Sequence, residues 1–310
     1  MTAPVCEWIV DNAAWVAAAP RLSVLIPFKG DDPTGLLAAL DREALPVEIV
    51  ALDDGSGDPD LAARVGEAVE GLGLPARFVR LAANEGRARG RNRLSRHARA
   101  GRFLFLDADM LPDSNHFLAD WLALIDARDP AAAFGGFSLD QTPKTRANAL
   151  HRTMALKSDC VSAAERALEP AKHVFTANLL VRRDVFDSVT FDETFTGWGW
   201  EDVEWAIRVA ERWPIVHVDI PASHLGLDTA STLARKYEQS AANFARVVAA
   251  HRDTVETYPS YKVARLLKHV PLRGAWRPMI RAFALADALP TAPRAFALRL
   301  YRAALYAEAV

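Results

Sequence analysis

The chain has 310 residues, 51% of them apolar and 25% charged, with a net charge of −2. That length can bury a large core, and the composition excludes wholesale disorder. The two cysteines, Cys6 and Cys160, show neither metal-ligand spacing nor a disulfide framework, which fits a reducing cytoplasm. Glu7 and Asp11 interrupt the apolar start without a basic leader, so no secretory signal is expected. No uncharged run approaches the roughly 18 residues of a membrane span. Charge is unevenly spread: residues 259–310 carry nine Lys and Arg against Asp287 and Glu308, so the net −2 divides into +7 for this tail and −9 for the body.

Apolar runs and helical patterns alternate along the first half. Strands are predicted at 22–27, 47–52, 77–81 and 102–106, with helices at 33–43, 59–70 and 86–99 between them. This β-α-β-α order predicts an α/β fold with a mostly parallel, doubly wound sheet and helices on both faces. The second half is less regular. Strands are predicted at 131–137, 174–181 and 215–218, and helices at 144–159, 201–212 and 229–257. The tail reads as two or three amphipathic helices broken by Pro271, Pro278, Pro290 and Pro293. The division expected is a body of residues 1–257, with a half at 20–112, a half at 113–257, and a helical appendage at 258–310.

In open sheets of this kind, ligands bind beyond the carboxyl ends of the strands, and three strands there run into polar or glycine-containing segments. After the fourth, Asp107-Ala108-Asp109 sets two carboxylates at the mouth of a cleft, where a divalent cation would relieve their repulsion. The plainer alternative is a solvated turn. Asp53-Asp54-Gly55-Ser56 suits hydrogen bonds to a base or ribose, or else an acid-capped turn. From Asn84 through Gly86 to Arg91 and Asn92, glycines and arginines open a helix that suits a diphosphate; the alternative is a solvated basic face. It is not a dinucleotide fingerprint, and no Walker-type loop is present. Gly197-Trp198-Gly199-Trp200-Glu201-Asp202 joins indole platforms for a sugar ring to acids at a helix start, where capping is the competing explanation. His224 gains interest as a metal ligand beside a carboxylate, whereas His217 lies inside a predicted strand.

In this order, with Val24-Leu25-Ile26-Pro27-Phe28 at the front, the segments resemble the family 2 glycosyltransferases of the GT-A fold over roughly residues 20–250. The second half looks like chondroitin-polymerase-type and galactosyltransferase-type members, in which a Trp-Gly-Gly-Glu-Asp segment has glycine where this chain has Trp200. The resemblance implies sugar transfer from a nucleotide diphosphate sugar, with UDP-sugar favoured, to a hydroxyl of a glycan or lipid-linked acceptor. Mn²⁺ or Mg²⁺ would be held by Asp109 and His224, with Asp107 near the ribose or a metal-bound water. Pro27, Phe28, Asp53, Asp54, Asn84, Gly86, Arg91 and Ala108 would line the nucleotide-sugar site. Asp202 would be the general base of an inverting displacement and Glu201 would bind hydroxyls. Trp198, Trp200 and Asn178 are assigned to the acceptor.

Two rivals are a non-catalytic nucleotide- or glycan-binding protein and a sugar-phosphate nucleotidyltransferase. Retention of both Asp109 and Asp202 disfavours the first; Pro27-Phe28-Lys29-Gly30 lacks the loop of the second. The basic tail is read either as an interfacial surface on anionic lipid or as an appendage packed on the acidic body. A cytoplasmic protein, with membrane contact at the cytoplasmic face, is expected, and no nucleic-acid partner.

Overall fold

The computed structural model describes residues 6–310. Its strands are β1 (Glu7–Asp11), β2 (Leu22–Phe28), β3 (Val47–Asp53), β4 (Ala76–Leu81), β5 (Arg102–Leu106), β6 (Met110–Pro112), β7 (Ala132–Phe134), β8 (Phe137–Ser138), β9 (Asn178–Arg182), β10 (Ile215–His217) and β11 (Ala222–His224). Eight form the main sheet in the order β1-β4-β3-β2-β5-β9-β7-β10. Its centre is parallel, while β1 and β9 run antiparallel to their neighbours.

β3 shows why the sheet is covered on both faces. Val47, Ile49 and Ala51 pack with the helices Thr34–Leu40 and Pro59–Glu70, whereas Val50 and Leu52 pack on the opposite side with Ala88 and Leu94 of the helix Arg87–His97. Every residue of β3 is buried, as a two-sided apolar strand requires. Its one buried acid below the site, Glu48, is neutralised: it accepts from Ser23 Oγ at 2.6 Å and from Arg99 Nε at 2.7 Å.

Two differences from the sequence reading matter. Residues 6–21 contain an edge strand that was not predicted, β1, whose apolar run is only three residues long and whose Trp8 and Ile9 are exposed. The strand predicted at 131–137 is two strands, because the chain turns at Gly135-Gly136, with Gly136 at φ +95°. There the chain leaves the main sheet and enters a three-stranded sheet of order β6-β11-β8. A Cβ at Gly135 would overlap Asn178 and the Ile220 carbonyl, so only glycine admits this crossing.

The tail is built into the body. Leu298, Tyr301 and Tyr306 of the helix Thr291–Tyr306 share a core with Met154 of Ala149–Ser158 and with Tyr237 and Phe244 of Ala230–Ala250. Pro278 does not break the helix Arg273–Leu285, since it forgoes only the bond to the carbonyl of Gly274 near the helix start. Likewise Pro293 sits in a first turn, where its missing N–H has no partner to lose. Some of the tail's positive charge is consumed internally, by Arg294–Asp287, Arg277–Glu308 and Arg281–Glu238. Leu266, Leu272, Met279 and Phe296 remain exposed on its outer side. Among the described residues, no helix is long and apolar enough to cross a membrane.

Leu298 is fully buried at this junction. Leu298→Ala should lower the unfolding free energy by about 2–5 kcal/mol, with tail and body unfolding in one urea transition. A separate tail transition would show that the two do not share a core.

Candidate functional site

The ends of β2, β3 and β5, the start of the helix Arg87–His97 and the segment 195–203 open onto one cavity of about 1420 Å³. Pro27, Phe28, Asp54, Asn84, Gly86, Arg91, Asp107, Ala108, Asp109, Trp198, Trp200, Glu201, Asp202 and His224 all line it. Asp53 and Asn178 do not. Asp53 is fully buried, and its Oδ1 accepts from Ser56 N at 2.8 Å and from Ser56 Oγ at 2.5 Å. Asn178 is spent on architecture: its Nδ2 donates to the carbonyls of Gly136 and Ile220, at 3.0 and 2.9 Å.

The first two motifs interlock. Asp54 accepts from the N–H groups of Glu85 and Gly86, at 2.7 and 2.9 Å, and so sets the entry to the helix Arg87–His97. Gly55, at φ +68°, lies so close to the backbone of Ala83 and Asn84 that a Cβ would overlap both. The acid-glycine turn therefore fixes the glycine-arginine segment beside it.

Arg87 and Arg91, four residues apart on one helix face, gather the acids of two distant segments. Arg87 donates through Nε to Glu201 at 2.9 Å and through Nη2 to Asp107 at 3.3 Å. Arg91, 1% exposed, reaches Asp107 at 3.3 Å, Glu201 at 3.3 Å and Asp202 at 3.7 Å. Glu201 is buried and engaged by both arginines. Asp202 is more open, and accepts from Thr176 N at 3.2 Å and Thr176 Oγ1 at 3.1 Å. Burial, with Glu201 adding repulsion against the pull of Arg91, pushes its carboxyl up to about 6. Two neighbouring acids thus sit differently: Glu201 is engaged by both arginines, whereas Asp202 is reached only by Arg91, at 3.7 Å, and carries the raised carboxyl.

The small sheet brings His224 to Asp109. β11 runs antiparallel to β6 with His224 opposite Met110, the residue after Asp109, and His224 Nε2 stands 3.1 Å from Asp109 Oδ2. Burial alone would raise the Asp109 carboxyl, but the bond and charge of His224 hold it below the usual range. Burial disfavours the imidazolium in turn, and Asp109 more than offsets that, so His224 is raised. Two ligands adjacent on a cation with bonds of about 2.1 Å are expected to lie about 3 Å apart, so this pair fits a divalent cation. Among the described residues, no three His, Cys, Asp or Glu side chains converge as a complete protein cage.

Sequence reasoning did not assign Arg87, Thr176, Asp31 or Gly226 to the site, although Arg87 stood within a motif already singled out. Asp31 lines the cavity; burial and the nearby Asp109 and Asp107 raise its carboxyl. At Gly226 a Cβ would overlap the Asp109 carboxylate, so glycine leaves room for that side chain. Trp200 occupies a left-handed conformation, φ 76°, rare for a bulky residue. Its ring packs on Phe244 at 4.8 Å and its Nε1 donates to Tyr306 Oη at 2.9 Å, so the tail holds this strained residue in place.

Replacing Arg91 would leave three carboxylates around an emptied centre. Arg91→Met should cost about 3–5 kcal/mol of stability in denaturant unfolding. A loss below about 1 kcal/mol would show that the acids do not depend on it.

Comparisons with known proteins agree with this fold. Solved structures with the same fold include the mannosyltransferase PcManGT from Pyrobaculum calidifontis in complex with GDP-Man and Mn²⁺, at 17% identity and TM-score 0.59, covering 95% of this chain and 88% of that one. S. aureus TarS 1–349 aligns at 16% identity and TM-score 0.54, covering 93% of this chain and 89% of that one. Its complex with UDP-GlcNAc aligns at 15% identity and TM-score 0.51, with coverage of 93% and 89%. No curated protein matches the chain. The profile of Glycosyl transferase family 2 matches residues 23–190, more than half the chain, and the protein belongs to that family.

Proposed function

We propose that this protein moves a sugar from a nucleoside diphosphate sugar, with UDP the favoured nucleotide, to a hydroxyl of a glycan or lipid-linked acceptor. The transfer inverts the anomeric centre by single displacement and is assisted by Mn²⁺ or Mg²⁺. The observation that carries the proposal is the meeting, in one cavity, of the Asp109–His224 pair with Asp202 beside the arginine-held Glu201. The nucleotide-sugar complexes of the structural neighbours support the donor class.

Asp109 and His224 would hold the cation, with Asp107 beside them, leaving its other positions to diphosphate oxygens and water. Bound there, it would neutralise charge on the departing diphosphate. Arg87 lies at the same end and adds a fixed positive charge. Pro27 and Phe28 offer an apolar wall to the nucleobase, while Trp198 offers an indole face to a sugar ring. Asp202 takes the proton of the acceptor hydroxyl as that oxygen bonds to the anomeric carbon and the nucleoside diphosphate departs from the opposite side. Thr176 orients the carboxylate for this step.

The base works only when ionised. With Asp202 titrating at about 6, transfer should rise with pH up to that point and level off above it. Asp202→Asn should reduce transfer by about 10²–10⁴-fold while the thermal shift given by Mn²⁺ and UDP persists. Wild-type transfer in that variant would reject the base assignment. Gly226→Ala crowds Asp109 and should raise the Mn²⁺ concentration for half-maximal turnover by roughly tenfold or more. An unchanged Mn²⁺ requirement in a folded Gly226→Ala protein would remove Asp109 from the metal site.

A further inference from the structure

We propose that the wall of the cavity built by the C-terminal helix is a subsite for a phosphate group carried by the acceptor, bound by Arg299 and Arg302 with Lys157 at its edge; this rests on the glycosyl-transfer reading above. Arg299 and Arg302 are three residues apart on the helix Thr291–Tyr306, so their side chains leave the same face. Both line the cavity that holds Trp198 and Asp202, and Lys157 joins them from the end of the helix Ala149–Ser158.

Three other arginines of the tail are committed to acids. Arg277, Arg281 and Arg294 are each matched with a carboxylate. Among the described residues, Arg299 and Arg302 have no ion-pair partner. Arg299 gives a single long bond, 3.4 Å, to the Met154 carbonyl, and Arg302 lies over the Tyr237 ring with its carbon 5.1 Å from the centroid. Asp159 lies in the same wall; burial raises its carboxyl, while the charges of Arg302 and Arg299 pull it down. Two guanidinium groups facing a cavity without carboxylate partners form the donor fork that recognises phosphate oxygens. Asp107, Asp109, Glu201 and Asp202, with Arg87 and Arg91, line the part of the cavity where the cation, the donor and the reacting hydroxyl would meet, which leaves the Arg299–Arg302 wall for the rest of the acceptor. The rival explanation is that Arg299 only staples the C-terminal carbonyls of the helix Ala149–Ser158.

The test uses the full chain saturated with Mn²⁺ and UDP, so that the donor diphosphate position is filled, titrated calorimetrically with sn-glycerol 3-phosphate and with glycerol. The wild type should bind the phosphate and not glycerol, and Arg299→Gln and Arg302→Gln should each weaken binding by about tenfold, with Arg302→Lys in between. Arg299→Gln alone carries the test if Arg302→Gln fails to fold. Co-sedimentation with phosphatidylglycerol against phosphatidylcholine vesicles names the source. Loss of binding to the anionic vesicles in the Gln variants assigns the phosphate to a lipid headgroup, and unchanged vesicle binding assigns it to a soluble phosphorylated glycan. No glycerol phosphate binding by the wild type, or unaltered binding in Gln variants that have lost only thermal stability, would overturn the subsite. If UDP and Mn²⁺ themselves failed to bind the wild type, the donor reading would fall instead.

Discussion

Everything at this site depends on two arginines one turn apart holding three carboxylates together. Asp107 ends a central strand, whereas Glu201 and Asp202 begin a helix almost a hundred residues later, and Arg87 and Arg91 bridge them. Buried acids this close would repel and take up protons without that bridge. With it, Glu201 is engaged on both sides while Asp202 keeps a raised proton affinity. The electrostatic centre of the fold therefore also sets the two neighbouring acids, Glu201 and Asp202, in different surroundings.

The second constraint is backbone register. β11 pairs with β6 so that His224 faces the residue next to Asp109, and the Leu225 N–H donates to the Asp109 carbonyl at 2.8 Å. The close pass at Gly226 completes this arrangement. A one-residue slip would turn His224 to the other face. The chain reaches this small sheet only by turning at Gly135-Gly136, where Asn178 supplies the hydrogen bonds that secure the crossing. The cost of the geometry is thus carried by residues outside the cavity.

Much of the first half was legible because a two-sided strand and an amphipathic helix leave different periods. The runs that became β2, β3, β4 and β5 were read within a residue or two, and the polar segments at three strand ends all lie at the site. The second half was harder. Its strands are two to five residues long, too short for a period, and pairings such as β6 with β11 join segments over a hundred residues apart. Asn178 and Asp53 show a different limit: residue type suggested ligand contacts, yet neither lines the cavity, and Asn178 Nδ2 and Asp53 Oδ1 bond within the protein. Trp200 shows the reverse. A glycine-like conformation at that position is sustained by a hydrogen bond donated to Tyr306 of the tail, a long-range contact that no local pattern announces.

The tail is accordingly part of the cavity as well as of the core, since it holds Trp200 and presents Arg299 and Arg302 to the same cavity as Asp202. The central claim is that Asp109 and His224 hold the cation on which the donor diphosphate is seated. Anomalous diffraction at the manganese edge from crystals grown with Mn²⁺ and UDP tests it most directly. The account predicts one strong peak at bonding distance from Asp109 Oδ2 and His224 Nε2, with diphosphate oxygens on its open side. A nucleotide bound in the cavity with manganese elsewhere, or with neither residue in contact with it, would contradict the account.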